Sequence, residues 1–138
     1  MSLAPVLLIE DNLDDVELTR LAFAEAGIAH PLVVAADGAL ALDWLHARGV
    51  HAGRNAGELP ALILLDLNLP KLDGREVLQA IRADPTTRQL PVVALSSSGE
   101  PVDIDASFAS GADSYLQKPV DFGRFIEEMK RLRAQWLD

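Results

Sequence analysis

Four short runs of consecutive apolar residues constrain this chain more than anything else in it: Val6-Leu7-Leu8-Ile9, Leu32-Val33-Val34, Leu62-Ile63-Leu64-Leu65 and Val92-Val93-Ala94-Leu95. Each is too short for a helix, rich in branched side chains, and continuous rather than alternating. That pattern describes strands covered on both faces, as in a parallel sheet. A shorter fifth candidate is Ser114-Tyr115-Leu116-Gln117. Between the runs lie helical stripes: Leu13, Val16, Phe23 and Ala26; then Leu42 and Leu45; then Val77, Leu78 and Ile81. The last stripe, Phe122, Phe125, Ile126, Met129, Leu132 and Trp136, advances in steps of three and four, with Glu127, Glu128, Lys130 and Arg131 opposite. Asp121 is the expected N-cap of that helix.

Strand and helix alternate five times, and right-handed crossovers turn such an alternation into an open sheet with helices on both faces. The expected fold is α/β: a flavodoxin-like doubly wound five-stranded parallel sheet, order 2-1-3-4-5, with five helices. Gly49 to Pro60 holds three glycines and little apolar content, and reads as a surface loop. The 138 residues fit one domain, 1–138, with no room after the fifth helix for an output domain.

The composition removes several classes of function. There is no cysteine, hence no disulfide framework, thiol catalysis or Cys-ligated zinc. No stretch approaches the roughly 20 apolar residues of a membrane span, and no signal peptide precedes the first strand, so the cytoplasm is the expected location and no membrane partner is expected. A net charge of −9 argues against nucleic acid, which is held by clustered Lys and Arg.

In open α/β sheets ligands bind beyond the carboxyl ends of the strands. Those ends carry Glu10-Asp11, Asp66, Ser96-Ser97-Ser98 and Lys118-Pro119. In the proposed order strands one and three are neighbours, which crowds three carboxylates together. Like charges ~4 Å apart repel by about 4 kcal/mol at an effective dielectric near 20, and a divalent cation relieves this most simply. All-oxygen ligands suit Mg²⁺, which uses one or two carboxylates together with phosphate oxygens. Lys118 brings a positive charge, the Ser96 hydroxyl can donate to a phosphoryl oxygen, and a carboxylate can itself accept a phosphoryl group as an acyl phosphate.

Taken together, Glu10-Asp11, Asp66 followed by Pro70 and Gly74, Ser96, Tyr115 and Lys118-Pro119 resemble the receiver domain of two-component response regulators (CheY-like), over nearly the whole chain. The resemblance implies that Asp66 accepts a phosphoryl group from a phosphohistidine of a sensor histidine kinase. It implies that Glu10, Asp11 and Asp66, with the backbone carbonyl of Asn68, hold Mg²⁺ or Mn²⁺. It makes Lys118 the partner of the phosphoryl group, Ser96 the switch hydroxyl, Tyr115 the rotating aromatic, and Lys118-Pro119 similar to a peptide bond usually cis in these domains. Such a protein is no turnover enzyme; it assists its own phosphotransfer and autodephosphorylation, and signals through the surface of its fourth helix, fifth strand and fifth helix. Two departures are small: Glu10 stands where Asp is commoner, and Ser96 where Thr is commoner. More narrowly, Glu10-Asp11-Asn12, the long loop before strand three, Asp66-Leu67-Asn68-Leu69-Pro70-Lys71 and Lys118-Pro119-Val120-Asp121 resemble stand-alone regulators paired with phytochrome-type kinases. A downstream protein target is expected without being identified, and the apolar end at Trp136-Leu137 raises the prospect of a homodimer.

Other readings stand beside this one. A single acid after a strand is commonly a solvated loop residue or a cap, and Ser97 and Ser98 fit a polar turn equally well. An aromatic in a short strand, such as Tyr115, commonly just packs. Asp14, Asp15 and Glu17 read as the solvated start of helix one, where negative charge suits the helix dipole. His30, His46 and His51 lack metal-ligand spacing and read as surface residues. An aspartyl phosphatase would place a second acid two residues after Asp66, where Asn68 stands. A flavin module would want a hydroxyl- and glycine-rich loop where Glu10-Asp11 would repel the flavin phosphate. A degenerate receiver that only binds partners would not need the complete acidic, hydroxyl and lysine set.

Overall fold

The fold is taken from a computed structural model that describes residues 3–55, 57–69, 74–97, 99–118 and 121–137. Five strands, β1 (Val6–Ile9), β2 (Leu32–Ala35), β3 (Leu62–Asp66), β4 (Val92–Ser96) and β5 (Ser114–Gln117), form one sheet in the order β2-β1-β3-β4-β5. Every pairing is parallel. The helices are α1 (Leu13–Glu25), α2 (Gly38–Leu45), α3 (Gly74–Ala83), α4 (Pro101–Ala109) and α5 (Phe122–Leu132), with a 3-10 turn at Gly49–His51 and a π-helical turn at Arg133–Leu137. The expected sheet order and the five helices are therefore present.

The continuous apolar runs are explained by two cores, one on each face of the sheet. Leu7, Ile9, Ile63, Leu65, Val92 and Ala94 point to the face covered by Trp44 and Leu45 of α2 and by Val77, Leu78 and Ile81 of α3. Val6, Leu8, Leu62, Leu64, Val93 and Leu95 point to the other, under Val16 and Phe23 of α1 and Phe125, Met129 and Leu132 of α5. Alternate residues of one strand thus serve opposite cores, and no position is left for a polar side chain until the strand ends. One stripe residue departs from expectation: Leu13, at the first position of α1, is 79% exposed. It precedes the stretch of the helix that crosses the sheet, and the burial begins at Val16.

The loops at the carboxyl ends of the strands are closed by side-chain caps. Asn12 accepts from the Asp15 amide on α1, Asp37 from the Leu40 amide on α2, and Asp121 from the Gly123 amide on α5, as its position suggested. Each cap satisfies an N–H that the first helical turn leaves unpaired. α4 is the loosest of the set, with Ser107 alone fully buried among its residues.

At the far end of the sheet, Arg82 of α3 gathers the approaches to β4 and β5. Its guanidinium donates to the carbonyls of Gly111, Arg88 and Leu90 and to Asp113 Oδ2. The long connection before β3 is equally organised: the Arg54 guanidinium lies 3.6 Å from the centroid of the Trp44 ring and donates to the carbonyls of Trp44 and Glu58. His30 is half-buried rather than free on the surface, with Nδ1 2.7 Å from the Ala4 carbonyl and Nε2 3.2 Å from that of Leu137. No helix among the described residues is long and apolar enough to cross a membrane.

Candidate functional site

Sheet register assembles the site one strand at a time. Ile9 pairs with Leu65, so the next residues, Glu10 and Asp66, lie side by side where β1 and β3 end. Asp66 in turn pairs with Leu95, which sets Ser96 one step beyond, and Ser96 pairs with Gln117, which sets Lys118 one step beyond that. The Lys118 amide donates to the Ser96 carbonyl at 2.6 Å and fixes this last step. Residues separated by more than 100 positions in sequence thereby share one pocket.

Glu10 and Asp66 are almost wholly buried, at 2% and 1% exposure, while Asp11 stands open to solvent. One carboxylate oxygen from each of the three lies within 4.8 Å of the others. Lys118 Nζ lies 2.9 Å from Glu10 Oε1, 2.9 Å from Asp15 Oδ2 and 3.1 Å from Asp66 Oδ2. The other Asp66 oxygen, Oδ1, accepts from the Asn68 amide at 2.9 Å. Asn68 Nδ2 in turn lies 3.4 Å from Ser97 Oγ, linking the loops after β3 and β4.

Burial pushes the Glu10 carboxyl up to about 8, helped by its hydrogen bond to Asp66 and by the charge there, and opposed by Lys118. Burial of Lys118 disfavours its charge, but hydrogen bonds to Asp15, Glu10 and Asp66 outweigh this and hold the ammonium above its ordinary range. The pocket therefore keeps one cation permanently charged and one carboxyl that takes up a proton when no other cation is present. Three clustered carboxylates, two of them buried, offer the hard oxygen donors that suit a divalent cation with part of its shell left to water or phosphate.

Of the residues singled out from sequence, Glu10, Asp11, Asp66 and Lys118 are brought together. Ser96 is buried at the end of β4 beside them in register, and Tyr115 is half-buried on β5, packed against the α2–α3 core. Pro70, Lys71, Ser98, Pro119 with the Lys118-Pro119 bond, and Val120 lie outside the described residues. Asp15 was missed. Its place in an acidic helix start made it look solvated, yet from the first turn of α1 it faces Lys118.

The response regulator receiver domain family matches residues 6–130, and the chain belongs to that family. It is 35% identical over 133 residues to Response regulator Rcp1 of Synechocystis sp., covering 96% of this chain and 88% of that one. The manganese-bound form of Rcp1 superposes with a TM-score of 0.85 at 34% identity, over 98% of this chain and 95% of the other. The response regulator RPA3017 in red light signaling of R. palustris gives 0.89 at 36% identity, over 97% and 94%. The bacteriophytochrome response regulator AtBRR gives 0.82 at 42% identity, over 100% and 98%.

Proposed function

We propose that this protein accepts a phosphoryl group on Asp66 from a phosphohistidine of a sensor histidine kinase and relays that event through the surface of α4, β5 and α5. The observation that carries the reading is the Asp66 carboxylate itself: it is buried, clamped by the Asn68 amide on one oxygen, and faced by the Lys118 ammonium on the other. A carboxylate so held needs little reorganisation to attack phosphorus in line, and the work left to the protein is positioning and charge neutralisation. The phosphorus–nitrogen bond breaks as the phosphorus–oxygen bond forms, and the electron pair stays with the departing imidazole. The Asn68 amide keeps the nucleophile from rotating, and Lys118 meets the charge that accumulates on the transferred oxygens.

Glu10, Asp11 and Asp66, with the Asn68 backbone carbonyl, are the residues that would hold Mg²⁺ or Mn²⁺. Such an ion, when bound, neutralises charge between the acceptor and the phosphoryl oxygens. The family's Ser96 and Tyr115 roles fit their places: Ser96 at the strand end beside the acceptor, Tyr115 on β5 among the residues that line a groove of ≈ 260 Å³ between β5 and α5. Lys118 lines that groove as well as contacting Asp66, so a shift of its ammonium toward a phosphoryl group is felt at the outer face. The same chemistry, with water as acceptor, returns Asp66 to its free state.

The likeness to RPA3017 and to AtBRR supports a phytochrome-type kinase as the donor. A downstream protein target and a homodimer through the α4–β5–α5 face complete the proposal. Incubation with a purified phytochrome-type kinase and labelled ATP tests it: label should move from the kinase to this protein and not to its Asp66→Asn variant. Equal labelling of the variant would overturn the acceptor assignment.

A further inference from the structure

Among the described residues, Asp15 is the one carboxylate on Lys118 that does not belong to the cation-fitting group of Glu10, Asp11 and Asp66. It reaches in from α1 at 2.9 Å, as close as Glu10 and closer than Asp66. Lys118 and Asp15 line, together with Leu18, Leu95 and Phe125, a gap of ≈ 10 Å³. That space holds at most about one water, so on this side of the side chain carboxylates rather than solvent meet the ammonium.

We infer that Asp15 is a positioning residue for phosphoryl uptake: it tethers the Lys118 ammonium at the edge of the acceptor pocket, from a helix that carries no other part of the machinery. This rests on the reading of Asp66 as phosphoacceptor. Glu10 and Asp66 have competing demands on their charge, from each other and from any cation in the pocket. Asp15 has none of these, so its attraction for Lys118 persists through the reaction. The tether also decides where the ammonium returns once the phosphoryl group leaves.

The side chain can be altered without unravelling α1. The Asp15 amide donates to Asn12 Oδ1, and Thr19 Oγ1 donates to the Asp15 carbonyl, both of which an asparagine retains. The test is the initial rate of phosphoryl uptake from phosphoramidate, followed by intact mass. Asp15→Asn should slow uptake by about fivefold, the loss of one charge-assisted contact at a partly exposed site, and Asp15→Glu should recover most of it. In a Lys118→Gln background Asp15→Asn should cost nothing further, because the residue it acts through is gone. A second readout needs no activity: in the metal-free protein the Lys118 ammonium proton signal should weaken by faster exchange with water in Asp15→Asn.

Wild-type uptake rates in Asp15→Asn, a full loss carried into the Lys118→Gln background, or an unchanged ammonium signal would each overturn the tether. If the wild-type protein takes up no phosphoryl group, the acceptor reading itself fails. If the wild type is labelled and Asp15→Asn matches it, only the tether falls.

Discussion

Asn68 and Asp66 are joined by a backbone amide on one carboxylate oxygen, at 2.9 Å, while the other oxygen faces Lys118 at 3.1 Å. The two contacts divide the carboxylate between a rigid donor and a mobile one. The backbone amide cannot leave without moving the β3–α3 loop, whereas the lysine side chain can follow a new charge.

Removing that mobile donor should destabilise the protein as well as slow its chemistry. Lys118→Met leaves the buried Glu10 and Asp66 without their cation, and a broken buried pair is costlier than a missing surface one. Glu10 can take up a proton in compensation, so a loss of about 1–3 kcal/mol is expected near pH 8 and a smaller one near pH 5. Urea denaturation of the metal-free protein at the two pH values measures both.

Glu10 gives the fold a specific pH dependence. Its carboxyl titrates at about 8 in the folded protein against 4.5 ordinarily, so between those values the folded state binds a proton that the unfolded chain has released. Its contribution to stability is full below about pH 4.5 and is lost as the pH rises through about 8. Glu10→Gln should remove this dependence, so its melting temperature relative to wild type should climb across the same window in metal-free buffer. A gap between the two proteins that stays constant from about pH 5 to pH 8.5 would contradict the assignment.

Much of this arrangement is legible in the sequence, and the reason is physical. A strand covered on both faces excludes polar groups, so the first polar residue after Ile9, Leu65 and Leu95 marks the sheet end, and parallel register does the rest. Leu13 was misplaced because a helical stripe read from spacing alone does not say where along the helix the core begins. Asp15 was hidden for the opposite reason: its neighbours Asp14 and Glu17 are exposed, and only the position of α1 over the sheet distinguishes it from them. The 49–60 segment reads as a loop from its glycines, but the cation–π contact that orders it joins Arg54 to a tryptophan ten residues earlier, a pairing composition does not reveal.

Gly74 holds α3 against the acceptor strand. A Cβ there would lie 2.5 Å from the Leu67 Cα and 2.7 Å from the Asp66 carbonyl oxygen, both backbone atoms that cannot swing aside. Gly74→Ala should therefore cost about 1–3 kcal/mol, as overpacked sites do, despite alanine's higher helix propensity. It should also slow phosphoryl uptake, because the backbone that must yield is that of Asp66 itself. Thermal denaturation with an uptake assay on the same sample checks the two together.

Arg82 should separate stability from chemistry. Its bonds to three carbonyls and Asp113 lie at the end of the sheet away from Asp66, and no lysine can reproduce their fork geometry. Both Arg82→Ala and Arg82→Lys should be destabilised, the alanine by about 2–4 kcal/mol, with uptake rates near wild type at temperatures where each is folded. Chemical denaturation and uptake kinetics at low temperature give the comparison.

The most direct test locates the phosphoryl group. Protein incubated with phosphoramidate and Mg²⁺ can be trapped with borohydride, which reduces an acyl phosphate to the alcohol and leaves homoserine in place of aspartate. Peptide mass spectrometry should then find homoserine at position 66 alone, and none in Asp66→Asn. Homoserine at another acid, or an unmodified Asp66 in protein that has taken up phosphate, would contradict the account.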